Sequence, residues 1–361
     1  MSRIRLRRLL KAFEGCKRIL VLTHDYPDPD SIASAFALQK LLQRRLKTSV
    51  EIGFGGIVGR AENRAMVKAA RVQLIPTSEI IFSSYDGFAL VDTQPRTGNN
   101  SLPAGTVPTV VLDHHPLRPE SRRVKFHDIR TRFGATATMM MEYLRAARFR
   151  LDSDLATALF YGIKAETQGL TREASQSDRQ AYVSLLPQVD FRKIFDIQYA
   201  GVSRNYFGFM GSALANTAIY GDVAVTSLGP ITNPDFCAEF CDIILRLETL
   251  RWALCVGQNS GTMYLSLRTR ERNGHAGRSI ARIVGKEGKA GGHGMMAGGI
   301  AMIDKFDPAT YERAFEVVTQ RFLDVAEAEG RTAEALLDIP AAPEATAAEL
   351  AEVTTDEPVS P

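Results

Sequence analysis

Short, continuous apolar runs punctuate the first half of the chain. Ile19-Leu20-Val21-Leu22, Phe88-Ala89-Leu90-Val91 and Thr109-Val110-Val111-Leu112 are too brief for helices and carry no internal polar residue. They read as buried strands, and another is expected near residues 50–53. Between them the apolar positions recur at helical spacing. Helices are predicted over 31–42, 61–70, 135–147 and 176–186, and from Asp154 with Asp152 or Ser153 as cap. Strands alternating with helices predict a parallel sheet covered on both faces.

After a less regular stretch at 191–220 the pattern resumes. Val223-Ala224-Val225-Thr226-Ser227-Leu228 reads as a strand and is followed by a helix capped near Asn233. Strands at 252–256 and 263–267, a helix near Ile280, a glycine-rich loop, a strand at 299–303 and a helix from about Pro308 complete the second half. The expected fold class is α/β in two lobes. The divisions are a basic segment at 1–14, a parallel-sheet domain at 15–190, a connector at 191–220, a smaller α/β domain at 221–330 and a tail at 331–361. The active site is expected in the cleft between lobes.

Composition changes this picture little. A hydrophobic content of 45% over 361 residues suffices for two cores. No apolar run approaches the ~20 residues that span a bilayer. The basic start (Arg3, Arg5, Arg7, Arg8, Lys11) lacks the apolar stretch of a secretory signal and runs almost directly into the first strand, so no removable leader is expected. Cys16, Cys237, Cys241 and Cys255 form no paired framework, so reduced thiols and a cytoplasmic location are expected. From Glu327 onward nine acidic residues face one basic one, a local −8, so the rest of the chain holds +11 of the net +3. A basic body suits an anionic substrate. The final Ala/Glu/Thr/Pro stretch cannot bury enough apolar surface to fold, and disorder is expected there.

The polar residues directly after the strands carry the chemistry. Thr23 to Ser34 read T-H-D-Y-P-D-P-D-S-I-A-S, which sets His24, Asp28 and Asp30 beyond the first strand in a turn that Pro27 and Pro29 keep from being helical. The strand ending at Val91 is followed by Asp92, and the one ending at Leu112 by Asp113, His114 and His115. Open α/β sheets keep their ligands at this edge. One aspartate after a strand is usually a helix cap or turn residue. Three strand ends carrying Asp or His together indicate a metal site. Oxygen and imidazole donors without thiols suit Mn²⁺, Mg²⁺ or another fairly hard ion. The donors are numerous enough for two ions, which in two-metal hydrolases lie roughly 3.5–4 Å apart.

The ordered set H-x-x-P-D-x-D-x-x-x-S, V-D and D-H-H resembles the signature of the DHH phosphoesterase superfamily. Phe133-Gly134-Ala135-Thr136-Ala137-Thr138 resembles that family's G-A-[ST] helix start, and Gly162-Ile163-Lys164-Ala165-Glu166-Thr167 its G-I-x-x-D-T segment. Ala290 to Gly298 is similar to the G-G-G-H-x-x-A-A-G loop of the DHH-associated C-terminal domain. The resemblance extends over about 15–330. It implies that His24 and Asp28 hold one metal, that Asp30 and His114 hold the other, and that Asp92 bridges them. Glu166 stands where the family has an aspartate ligand, and Met296 where it has a small alanine. The resemblance also makes His115 the substrate-facing histidine, with Asp113 orienting an imidazole or a water. Arg268, His293, Gly291 and Gly292 become substrate contacts, as does Thr136 through the helix start, whose free amides form a natural anion seat.

These readings imply a hydrolase using two divalent ions, Mn²⁺ foremost with Mg²⁺ or Co²⁺ as alternatives. Its substrates would be short oligonucleotides, linear or cyclic dinucleotides, or adenosine 3′,5′-bisphosphate, as in the nano-RNase/pAp-phosphatase branch. Three alternatives stand beside it: an inorganic pyrophosphatase or polyphosphatase, a RecJ-like single-strand exonuclease, and a catalytically weakened nucleotide-binding protein. No membrane partner and no long nucleic-acid channel are expected, and a homodimer is allowed.

Overall fold

The computed structural model describes residues 2–302 and 308–337. The chain divides into two compact units, Met1–Gly201 and Val202–Pro361.

The first unit runs α1 (Ser2–Ala12), β1 (Arg18–Leu22), α2 (Pro29–Leu46), β2 (Ser49–Phe54), α3 (Ala61–Ala69), β3 (Leu74–Pro76), β4 (Gly87–Val91), β5 (Val110–Asp113) and β6 (Phe126–Ile129). It then adds α4 (Thr136–Ala146), α5 (Ser153–Glu166), α6 (Gln176–Leu185) and α7 (Phe191–Gln198). Its sheet is wholly parallel in the order β3-β2-β1-β4-β5-β6. The order reverses between β1 and β4, and such a switch point opens a crevice beyond the carboxyl ends of the strands. The core joins α1, α2, α4 and α5 to the apolar strand residues, with Ile19, Val21, Ile32, Leu38 and Leu159 fully buried. Gly162 lets α5 approach α2 closely, since a Cβ there would stand 3.0 Å from both the Ala33 methyl and the Pro29 carbonyl.

Four elements of this unit, α1, β3, β6 and α7, lie outside the sequence expectation. Most of the basic segment is α1, whose Leu6 and Leu9 enter the core with Phe13 just after it, while Arg3, Arg7, Arg8 and Lys11 stay exposed. The short β3 and β6 flank the sheet. The expected non-helical turn also ends earlier than read. Asp28 is the N-cap of α2, accepting the Ser31 N–H at 2.9 Å, and Pro29 is the first helical residue. Proline is at home there because that position has no intrahelical N–H partner to lose. Asp30 therefore sits in the first turn of a helix.

The second unit runs α8 (Arg204–Ala215), β7 (Thr217–Tyr220), β8 (Val223–Pro230), α9 (Asp235–Ile244), β9 (Trp252–Asn259), β10 (Thr262–Thr269) and α10 (Ala276–Val284). It continues with β11 (Gly288–His293), β12 (Met296–Met302), α11 (Pro308–Val325) and β13 (Glu334–Ala335). Its mixed sheet is ordered β11-β12-β10-β9-β8-β7-β13, with β8 and β9 parallel. The stretch read as an irregular connector holds α7, α8 and β7. The glycine–histidine loop is mostly a hairpin, pairing Gly291 with Gly298 and Gly292 with Ala297. Gly292 has φ 146°, and a Cβ there would meet the Met296 carbonyl at 2.4 Å, so the close pairing requires glycine. The start of the expected acidic tail is also structured: β13 pairs with β7, and Arg331 pairs with Asp222. The rest of that tail, 338–361, lies outside the described residues. All four cysteines are free thiols. Among the described residues no helix is long and apolar enough to cross a membrane.

Candidate metal centre

The switch point gathers the polar ends of three strands around one carboxylate. Asp92 directly follows β4 in a left-handed conformation (φ 60°), which aspartate tolerates better than most residues. Its N–H donates to the Leu112 carbonyl at 2.9 Å, and the residue is 3% exposed. Two groups of donor atoms, each within 4.8 Å, share it: His24, Asp28 and Asp92, and Asp92, His114 and His115. His24 Nε2 lies 3.6 Å from Asp28 Oδ1 and 3.8 Å from Asp92 Oδ2, while His114 Nε2 lies 3.6 Å from Asp92 Oδ1. The Nδ1 atoms of His24 and His114 face the carbonyls of Asp25 (2.9 Å) and Phe133 (3.1 Å). A carbonyl only accepts, so each Nδ1 carries a hydrogen and each Nε2 is turned to the carboxylates. This is how metal-binding imidazoles are usually held.

Asp30 and Thr136 take places the sequence did not foresee. Asp30 is fully buried, and its two oxygens accept the N–H groups of Thr136 and Ala137, both at 2.7 Å. The anion seat at the start of α4 is thus filled by a carboxylate of the chain itself. Thr136 is fully buried and gives its hydroxyl to Asp92 at 2.8 Å. Asp30 belongs to neither donor group, and its Oδ1 also accepts the Ser34 hydroxyl at 3.4 Å.

Asp113 and His115 form a pair. His115 Nδ1 lies 2.8 Å from Asp113 Oδ1, the acceptor that also takes the His115 amide at 3.2 Å. The other Asp113 oxygen accepts Gln94 Nε2 at 2.6 Å. Gln94, 1% exposed, also donates to the Pro116 carbonyl and accepts from the Arg118 amide and the Ser121 hydroxyl. It was not anticipated, since a glutamine after an aspartate and a threonine carries no motif.

Glu166 closes α5. Its carboxylate lies 3.6 Å from the buried Arg172, whose guanidinium also donates to the Glu166 carbonyl at 2.7 Å. The charge of Glu166 reaches both Asp30 and His115.

Burial and crowding set the protonation of this cluster. Burial disfavours charge on His24, yet Asp28 and Asp92 outweigh it and lift its pKa to about 10. Burial likewise opposes charge on His115, and Asp113 foremost overrules it, to about 9. Burial and the nearby Asp28 raise Asp92 to about 7, and burial with Asp92, Asp28 and Glu166 raises Asp30 well above the usual carboxylate range. Asp28 is held low despite its burial, chiefly by His24. Carboxylates packed so closely call for counter-charge. Oxygen and imidazole donors converging on a shared carboxylate fit hard divalent ions.

An ion entering this site must displace the proton His24 holds and the share Asp92 holds near neutrality. Both pKa values are raised, so protons compete below them and metal affinity should climb with pH. Between about pH 6 and 8 the rise should approach tenfold per unit for each proton released. Calorimetric titration of Mn²⁺ in buffers of different ionisation enthalpy counts those protons. An affinity independent of pH would contradict this arrangement.

The remaining predicted residues lie in the second unit. Arg268 is buried on β10, its Nε donating to Asp242 at 2.7 Å and one Nη to the Ser266 hydroxyl at 2.9 Å and the Leu267 carbonyl at 3.1 Å. Much of the guanidinium read as a phosphate grip is therefore engaged within its own unit. Gly291 and Gly292 are exposed on β11. His293 ends that strand, and its side chain lies outside the described part of the structure.

The chain resembles known proteins in sequence and in fold. Residues 18–163 match the model of the DHH family, N-terminal domain. An uncharacterised protein of Methanocaldococcus jannaschii is 31% identical over 278 residues, covering 76% of this chain; the match spans 56% of that relative's length. The crystal structure of an exopolyphosphatase-related protein from Bacteroides fragilis superposes with a TM-score of 0.66 at 16% identity, over 90% of this chain and 98% of that one. The latter likeness is one of fold.

Proposed function

Because the chain belongs to the DHH phosphoesterase superfamily, we propose that it is a metal-dependent hydrolase of short or small nucleotides. The observation that carries this reading is Asp92, shared between two donor groups at the switch point of a parallel sheet. In the proposed enzyme Asp92 serves two ions, His24 and Asp28 one of them, and His114 the other, with Asp30 and Glu166 beside the second. Mn²⁺ is the proposed ion on the hardness of the donors. Bound divalent ions would supply charge stabilisation and acidify a water to near-neutral pKa.

The chain's own groups do the rest. Thr136 steadies the Asp92 carboxylate, and the start of α4 fixes Asp30. Gln94 holds Asp113, which in turn fixes the His115 ring by its Nδ1. Against burial, Asp113 foremost raises the pKa of that ring, to about 9 in the metal-free site, and its side chain is 37% exposed. His115 Nε2–H can therefore bind a phosphate oxygen and pass a proton to the departing one. The net +11 of the chain before Glu327 favours an anionic substrate.

The test is turnover with Mn²⁺ on a panel of di- to tetranucleotides, cyclic dinucleotides, adenosine 3′,5′-bisphosphate, a long single strand, pyrophosphate and polyphosphate, with products identified by mass spectrometry. Di- to tetranucleotides or small nucleotides should be cleaved much faster per end than the long strand. Turnover of pyrophosphate or polyphosphate alone would replace the nucleotide assignment with an anhydride hydrolase. Binding without turnover would make the chain a nucleotide-binding protein.

A further inference from the structure

Five large apolar side chains stand exposed within residues 183–199: Val183, Leu186, Phe191, Phe195 and Tyr199, the last two 61% and 71% accessible. Phe191 and Phe195 on α7 and Tyr199, which caps its end, form one stripe at i, i+4 and i+8. The opposite side of α7 is apolar as well, with Ile194 and Ile197 buried in the core. A surface helix ordinarily gives its outer face to polar residues, and an aromatic outer stripe marks a contact surface. The stripe is already ordered: the Phe195 and Tyr199 rings lie 4.7 Å apart, and Phe191 meets Phe160 edge-on at 5.9 Å.

The charges beside the stripe identify the occupant. Arg192 lies in the first turn of α7 and Asp196 in the last, each opposed to the helix dipole. Arginine four residues before the acid is also the weaker order for a pair within one helix. Both side chains are exposed, and among the described residues neither has an ion-pair partner. A second α7 running antiparallel reverses every one of these defects. With a two-fold axis at Phe195, Phe191 falls opposite the partner's Tyr199. Arg192 and Asp196 share one flank of the stripe, and across the axis Arg192 falls two residues, ~3 Å along the helix, from the partner's Asp196, within its side chain's reach, as does Asp196 from the partner's Arg192. A patch that complements itself in this way is what a two-fold interface needs.

We propose that this face joins two copies of the chain, α7 against α7 in antiparallel register about Phe195. The interface is independent of the metal-centre reading.

Sedimentation velocity of the full chain over a dilution series tests it. The parent should be a dimer, and Phe195→Glu should be a monomer with unchanged helical circular dichroism and unchanged Mn²⁺ binding. Tyr199→Gln, a milder change, should weaken the dimer in the same direction and serves if Phe195→Glu folds poorly. Arg192→Asp places two pairs of like charges across the axis and should weaken association roughly tenfold or more. The double variant Arg192→Asp/Asp196→Arg restores both pairs with reversed polarity and should recover the dimer. A parent that stays monomeric at every concentration, or a dimer indifferent to Phe195→Glu and Tyr199→Gln, overturns the interface. A double variant as weak as Arg192→Asp overturns the antiparallel register.

Discussion

Asparagine in place of Asp92 should abolish turnover and metal uptake together while sparing the fold. Asp92 is the one side chain common to both donor groups, so no other single change removes a carboxylate from each. The expected loss of rate is at least three orders of magnitude, on the order of 4 kcal/mol. Asparagine suits the test because it also tolerates the left-handed backbone at this position and keeps an oxygen for the Thr136 hydroxyl. What it removes is the charge.

The same variant separates metal loss from unfolding. Burial, with Asp28 next, lifts the Asp92 pKa to about 7. An acid raised in the folded state favours folding while it stays protonated. Its contribution is full below the ordinary carboxylate pKa and is lost as pH climbs through about 7. At pH 8 the metal-free parent carries this cost and the asparagine variant does not. The variant should therefore melt no lower than the metal-free parent, yet gain none of the stabilisation that Mn²⁺ gives the parent by binding the native state. Calorimetric melting with and without Mn²⁺, beside rates on the best substrate, checks both halves. Near-normal Mn²⁺-dependent activity would defeat the shared-carboxylate site.

The chemistry could be read from the sequence wherever it was local. A run such as Phe88-Ala89-Leu90-Val91 announces a strand, and Asp92 follows at once, so strand end and donor are read together. The same holds for His24 after β1 and for Asp113, His114 and His115 at the end of β5. What failed to show were partners far apart in the chain. The amides that hold Asp30 come from Thr136 and Ala137, 106 and 107 residues away, and no local pattern encodes that meeting. Gln94 acquires its role only when β4 and β5 lie side by side. Strand order, and with it the switch point, is likewise tertiary information. Element errors had other causes. Ala290 to Gly298 read as a loop because glycine carries little strand preference, and the pairing of β11 with β12 overrides that. α7 escaped because its eight residues fall short of the length that marks a helix in sequence, although Phe191, Ile194 and Phe195 recur at helical spacing.

Glu166 is the proposed metal position that departs from the DHH family pattern, and removing its carboxylate should lower the affinity for one ion 10–100-fold and reduce the rate with it. The structure gives a reason for the longer side chain to work. Arg172, 7% exposed, ties both the carboxylate and the carbonyl of Glu166. The segment that carries it is bent back by Gln168, Leu170 and Glu173, all at positive φ. Non-glycine residues pay strain for that conformation, of order 1–3 kcal/mol each, and keep it only where surrounding contacts impose it. The carboxylate is thus held at a fixed reach from the end of α5. Glu166→Asp withdraws it by about one carbon–carbon bond, ~1.5 Å, and should lose rate and affinity in the same direction as Glu166→Ala. Arg172→Ala should do so more weakly, with Arg172→Lys recovering part of the loss, because the carboxylate remains but its placement relaxes. Metal titration of the four variants beside their Mn²⁺-dependent rates decides the matter. A rise in activity for Glu166→Asp would mark the glutamate as a remnant of the family's aspartate. Unchanged affinity and rate in Glu166→Ala would remove residue 166 from the site altogether.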